Sequence, residues 1–348
     1  MSSYFISKVD INDKRSNQLV EQILISEGIR RDRNLDYTCA IYDQDMNIIA
    51  TGSCFGNTLR CLSVANSHRG EGFLNILVTH LIEVQHERGN HHLFIYTKMK
   101  NVKYFKDMGF FEIAHVEDEV AFMENKKDGF NDYLISLADS KRNTTISAAV
   151  VLNANPFTNG HLYLVEKAAA ESEVLHLFVV SEDASLVPYS VRKKLVIEGT
   201  RHINNIVYHE TGSYIISSST FPSYFQEDET SVIRGQAKLD IAIFCNIAKA
   251  LNITRRYVGE EPKSRVTRIY NETMQIELPK NKIECVIVPR KLESGKIISA
   301  STVRLAIKED DFHSLALLVP KTTFRYFTSE AAAPIIRQIK GSNNVIHY

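Results

Sequence analysis

The stretch Thr145–His161, TISAAVVLNANPFTNGH, constrains the fold more than any other part of the chain. Its run from Ile146 to Leu152, apolar almost throughout, predicts a strand buried on both faces, as in a parallel sheet. A tight polar turn follows, Asn155-Pro156-Phe157-Thr158-Asn159-Gly160-His161, and Leu162, Val165 and Ala169 then stripe a helix directly behind it. This order places a threonine and a histidine at a helix N-terminus. Unpaired backbone N–H groups and the helix dipole favour an anion there. The unit reads as a nucleotide triphosphate site.

At 348 residues the chain is too long for one ordinary core, so two domains are expected. The charged stretch Glu124–Thr144 separates two patterned halves and sets the expected division at residues 1–143 and 144–348. Formal charge is zero, which offers no field to draw nucleic acid or an anionic membrane. No apolar run approaches the ~20 residues that a spanning helix needs, and the first residues lack a secretory core. The five cysteines form no CxxC pair and no metal-finger spacing, so they read as reduced thiols with no metal site. The expectation is a soluble cytoplasmic protein with neither nucleic acid nor membrane as partner.

In the first half, strands are predicted at residues 4–9, Tyr37–Tyr42, Ile48–Ser53 and Thr58–Val64, with a helix over Arg15–Ile29. Next comes Val64-Ala65-Asn66-Ser67-His68-Arg69-Gly70-Glu71-Gly72-Phe73, running into a helix over Leu74–Arg88. A Gly-x-Gly turn that opens a helix offers free N–H groups to a pyrophosphate. Leu93–Thr97 is a further strand, and Asn101, Tyr104 and Phe105 lie on a short helix ending at Met108-Gly109-Phe110. This order resembles the GNAT acetyltransferases. The resemblance implies an α+β fold whose glycine turn holds a CoA pyrophosphate, with Arg69, Gly70, Gly72 and Asn101 along a CoA-like arm. Glu83, Glu87, Tyr96 and Tyr104 are the candidates for a general base.

In the second half, strand and helix alternate. Strands are predicted at Val174–Val180, Ile206–His209, Tyr214–Ile216, Arg256–Gly259 and Ile283–Val288. Helices are predicted at Ser190–His202, Val232–Leu251, Val266–Leu278 and Ser301–Lys308, with a helical tail over Ser314–Ile339. Alternation of this kind argues for a doubly wound parallel sheet with ligands at the carboxyl ends of its strands. A second loop, Ile298-Ser299-Ala300-Ser301-Thr302-Val303-Arg304, enters a helix and is rich in hydroxyls closed by a cation. The two loops resemble the paired T/HxGH and ISSTxxR signatures of the nucleotidyltransferase superfamily, which implies a Rossmann-like catalytic domain. Attack on the α-phosphate of ATP builds charge on that phosphate and on the departing pyrophosphate. His161, Thr158 and Arg304 are the catalytic candidates. Asn153, Asn155, Pro156, Phe157, Gly160, Gly259, Ile298, Ser299, Ser301 and Thr302 complete the ATP site, with Mg²⁺ bridging the phosphates.

Three further blocks widen the resemblance to nearly the whole chain. They are Tyr214–Ser217 with Thr220–Phe225, Arg256–Pro262 with Val266-Thr267-x-x-Tyr270-Asn271, and the Ile298–Arg304 loop. Together the chain resembles the citrate lyase ligases. That resemblance implies that ATP and acetate give acetyl-adenylate and pyrophosphate. The acetyl group then passes to the thiol of a phosphoribosyl-dephospho-CoA group on the acyl-carrier (gamma) subunit of citrate lyase. Tyr224, Phe225, Gln236 and Asp240 are candidates for the acetate or adenine side. The alternatives are an adenylyltransferase acting on a phosphorylated small molecule, and a GNAT acetyltransferase with a nucleotide-binding module. A non-catalytic ATP-binding subunit is a third.

Overall fold

The computed structural model describes residues 4–32, 34–182, 184–215, 229–261, 264–293 and 296–342. The chain forms two compact units, Met1–Asn131 with Pro222–Ala242, and Asp132–Phe221 with Ile243–Tyr348. This division and the expected one at residue 143 differ over residues 132–143 and 222–242. The reason for the first difference is visible in Tyr133, whose hydroxyl donates to the Glu210 carbonyl at 2.8 Å and whose ring stacks on Tyr214. Composition marks a charged linker there; packing makes its helical part a member of the second unit.

The first unit carries a seven-stranded sheet. Strands β1 (Phe5–Lys8), β2 (Tyr37–Tyr42), β3 (Ile48–Phe55) and β4 (Thr58–Val64) pair antiparallel in sequence, with helix α1 (Lys14–Ser26) after β1. Helix α2 (Phe73–Glu87) crosses to β5 (Phe94–Lys98), which lies parallel to β4, registered at Thr58↔Phe94 and Leu59↔Ile95. Helix α3 (Val102–Asp107) leads to a hairpin, β6 (Phe111–Val116) and β7 (Val120–Glu124), and β7 inserts between β5 and β6. The sequence pattern did not point to this hairpin, because Glu112 and His115 interrupt the apolar alternation of β6. Leu59, Leu77, Val78, Leu81, Ile95 and Phe110 are sealed in the core between α2 and the sheet. The mixed sheet and the helix that opens at the glycine turn form the α+β architecture expected of this half.

After helix α4 (Gly129–Ala138), the second unit alternates β8 (Ser147–Leu152), α5 (Asn159–Ala170), β9 (Val174–Val179), α6 (Tyr189–Gly199) and β10 (Ile206–Glu210). It continues with α7 (Glu229–Leu251), which is divided between the units at Ala242, then β11 (Arg255–Gly259), α8 (Arg265–Lys280) and β12 (Glu284–Val288). All strand pairs are parallel and the order is β10-β9-β8-β11-β12, so the direction of winding reverses between β8 and β11. Neighbouring residues of β11 display the double winding. Tyr257 reaches Glu171 at the end of α5, while the Arg256 guanidinium lies 4.2 Å from the Phe244 ring of α7. Ligands of such sheets lie at the carboxyl ends of strands near the reversal.

Beyond β12 a short hairpin, β13 (Leu292–Glu293) and β14 (Lys296–Ile297), leads into α9 (Ala300–Lys308). The tail is three short helices, α10 (Phe312–Leu318), α11 (Lys321–Phe327) and α12 (Ala333–Gly341), rather than one stretch. Pro320, immediately before α11, cannot continue a helix. Tyr214 and Ile215 form a turn, not a strand, and Ile216 lies outside the described residues. No helix among the described residues is long and apolar enough to cross a membrane.

Candidate functional site

The chain leaves β8 through Ala154, whose φ of 51° turns it sharply at the carboxyl edge of the sheet. Asn155 is buried there; its Oδ1 accepts from the Val187 N–H at 3.0 Å, and its Nδ2 has no protein partner. Phe157 is sealed beneath the turn. Gly199 of α6 permits this, since a methyl at that position would stand 2.6 Å from the Phe157 ring. Thr158 caps α5: its Oγ1 accepts from the His161 N–H at 3.2 Å, and its own N–H donates to His161 Nδ1 at 3.1 Å. The cap decides the tautomer of the histidine. With Nδ1 accepting, a neutral ring carries its proton on Nε2. Burial, and secondly the charge of Arg290, push the His161 imidazole down to about 4, so the ring is a neutral donor at physiological pH.

Ser299 caps α9 in the same way, accepting from the Thr302 N–H at 3.1 Å. Its Oγ lies 2.9 Å from that of Ser301 and 2.7 Å from Thr302 Oγ1, so three hydroxyls cluster at one helix start. The two loops meet. A Cβ on Gly160 would stand 3.3 Å from the Ile298 carbonyl oxygen, closer than most side chains tolerate. Arg304 reaches back from α9 and donates through Nη1 to the Asn155 carbonyl. Burial lowers its guanidinium to about 10, which leaves it charged at neutral pH. Gly259 ends β11 at the same edge, with open space above its α-carbon and its carbonyl held by Asn271 Nδ2 at 3.0 Å.

The structure therefore brings Asn153, Asn155 to Gly160, His161, Gly259 and Ile298 to Arg304 to one edge of one sheet. Two arginines outside both signature loops stand there as well. Arg192, on α6 itself, is fully buried and donates to the carbonyls of Asn153, Val180, Glu182 and Val187, and to Asn153 Oδ1. It ties the ends of β8 and β9 together. Arg290 follows β12 and touches Glu260, Glu261 and Ile298. Its place just past a strand end was the signal in the sequence. Tyr224 and Phe225 lie outside the described residues, and Gln236 is buried on α7. Among the described residues no group of three or more His, Cys, Asp or Glu is placed to hold a metal ion.

The first unit holds a separate cleft of about 720 Å³ where β4 and β5 part. Arg69, Gly70, Gly72 and Asn101 all line it, with Tyr96, Tyr104 and Ser63; Glu83 and Glu87 do not. Gly70 and Gly72 both have a φ of 85°, a left-handed backbone that a side chain would strain, and open space beyond their α-carbons. The turn is anchored by Glu27, which accepts from the Asn66 N–H at 3.1 Å and pairs with Arg69. Ser63 Oγ is buried against the cleft with no protein partner.

Residues 147–327 match the family described as the citrate lyase ligase C-terminal domain. The citrate (pro-3S)-lyase ligase of Escherichia coli is 38% identical over 304 residues, covering 85% of this chain and 86% of its own. That of Haemophilus influenzae is 34% identical, covering 90% of this chain and 96% of its own. Among solved structures, a GNAT-family acetyltransferase from Staphylococcus aureus is 14% identical and matches 36% of this chain and 100% of its own, with a TM-score of 0.31.

Proposed function

Because the chain belongs to the citrate lyase ligase family, we propose that it activates citrate lyase by acetylating a thiol on the lyase's acyl-carrier subunit. In the first step an acetate oxygen attacks the α-phosphorus of ATP. The bond to the pyrophosphate breaks, and acetyl-adenylate forms. In the second step the carrier thiol, after losing its proton, attacks the acetyl carbonyl; a thioester forms and AMP leaves. Such chemistry asks the protein for position and charge stabilisation more than for covalent work.

The observation that supports the first step is the interlock of the two loops. Gly160 against Ile298 and Arg304 on Asn155 put the neutral His161 Nε2–H, the Ser299–Ser301–Thr302 hydroxyls and two helix starts around one edge. These are donors suited to a triphosphate. Thr158 serves the site through the cap that orients His161. Mg²⁺ enters this reading with the ATP phosphates as their counter-ion, with no protein ligand assigned to it.

For the second step we assign the cleft of the first unit to the CoA-like arm of the carrier, a phosphoribosyl-dephospho-CoA group. Its pyrophosphate would meet the Gly70–Gly72 turn and Arg69, and its amide-bearing chain would pass Asn101 and Ser63. We also take the protein to act in the cytoplasm, where its five free thiols stay reduced. One assay tests the core of the proposal: acetate-dependent exchange of labelled pyrophosphate into ATP in the presence of Mg²⁺. Exchange is expected with acetate alone, before any carrier is added. Its absence would point to the adenylyltransferase reading.

A further inference from the structure

Arg290 stands between the two loops of the nucleotide site, yet neither motif includes it. Its Nε donates to the Glu260 carbonyl at 2.6 Å, its Nη1 donates to the Ile298 carbonyl at 3.2 Å, and its Nη2 pairs with the Glu261 carboxylate. The Ile298 carbonyl is the one that Gly160 faces, so the guanidinium lies beside the start of α5. The depressing effect of its charge on His161 reports the same closeness. The two arginines of the site also differ in access. The Arg304 residue is 2% exposed and donates to a backbone carbonyl, whereas 24% of the Arg290 side chain is open.

We propose that Arg290 is the cation that takes the β- and γ-phosphates of ATP, with Glu261 holding it ready until nucleotide arrives. The proposal rests on reading this edge as an ATP site. An arginine fork binds phosphate oxygens through paired N–H groups, and it does so better than the compact charge of a lysine. Two backbone carbonyls keep the guanidinium in place, so only the Glu261 contact has to be exchanged for phosphate. A single carboxylate at the end of a side chain is a weaker partner than a polyphosphate of higher charge. Negative charge gathers on the departing pyrophosphate, and a cation at this point stabilises it.

Binding of MgATP and of AMP to the full-length protein, measured by calorimetry, tests this directly. Arg290→Met is expected to weaken MgATP by about 20-fold or more and AMP by less than about 2-fold, because AMP lacks the phosphates concerned. Glu261→Gln frees the guanidinium and is expected to leave MgATP binding unchanged or tighten it several-fold. Equal weakening of both nucleotides by Arg290→Met would overturn the proposal, since it would make Arg290 a loop tether. So would a loss of about 10-fold or more in MgATP binding by Glu261→Gln, which would make the ion pair structural. If Arg290→Met fails to fold, Arg290→Lys carries the same comparison: selective weakening of MgATP supports the proposal and equal weakening overturns it. A wild-type protein that binds no MgATP would refute the ATP reading of the site itself.

Discussion

Arg304 Nη1 on α9 donates to the carbonyl oxygen of Asn155, a residue 149 positions earlier that begins the turn after the central strand. The bond joins the two signature loops, Asn155–His161 and Ile298–Arg304, which the proposed function assigns to the nucleotide. It also means that the motif's closing cation is a buried brace between them.

His161 should be the most costly single loss. Its Nε2–H is held ready by the Thr158 cap, and His161→Ala removes that donor while leaving a small helix-compatible residue. Removal of one well-placed donor typically lowers a rate by about 10²–10³, and the acetate-dependent exchange assay should show a fall of that size. A fall of less than about tenfold would remove His161 from the assignment.

Gly70→Glu separates the two half-reactions. It forces a side chain into a left-handed turn and sets a carboxylate where a pyrophosphate would lie. Acetate-dependent exchange should continue at the wild-type rate while acetyl transfer to the carrier drops by about 10-fold or more. Equal loss of both steps would disconnect the cleft from the carrier arm.

Arg192→Met tests what holds the turn in place. The substitution keeps much of the volume but strips the donor from five buried or half-buried acceptor atoms. Destabilisation of roughly 3 kcal/mol or more is expected from denaturant unfolding, because each orphaned acceptor loses its hydrogen bond without regaining water. A change under about 1 kcal/mol would contradict this account of Arg192.

Stability should fall on mild acidification. His161, His176 and His209 are each lowered from 6.5 to about 4, chiefly by burial, and His176 Nδ1 lies 2.8 Å from His209 Nε2. The unfolded chain therefore takes up protons that the folded one refuses. The contribution of these rings to stability is full above about pH 6.5 and is lost as pH drops towards about 4. Denaturation midpoints at about pH 7 and pH 5 should differ, and His209→Gln should shrink the difference. Equal midpoints at the two pH values would show that these rings are not the source of acid sensitivity.

Much of the second unit was legible in its sequence because buried parallel strands are near-continuous apolar runs. Ile146–Leu152 and Val174–Val180 stand out for that reason, and Gly, Pro and hydroxyl residues mark the turns between strand and helix. Both signature loops and the glycine turn of the first unit were read at the positions where the structure has helix starts. The β6–β7 hairpin was not, since β6 alternates poorly and the apolar run of β7, Val120–Met123, is short. Residues 132–138 looked like a linker because the contacts that fix Tyr133, to Glu210 and Tyr214, lie far along the chain.

Local order is what the chain by itself determined: which segments bury both faces, where helices begin, and which hydroxyl, imidazole and glycine residues stand at those beginnings. Periodicity, turn chemistry and capping act over a few residues, so they are written in neighbouring positions. Tertiary structure alone decided which loops meet and what each charged group does there. Gly160 finds Ile298, Arg304 becomes a brace on Asn155, Arg192 binds the ends of two strands, and Arg290 comes to stand open beside His161. The energy of a charge depends on the carbonyls and the burial around it, and those are set only when distant segments pack.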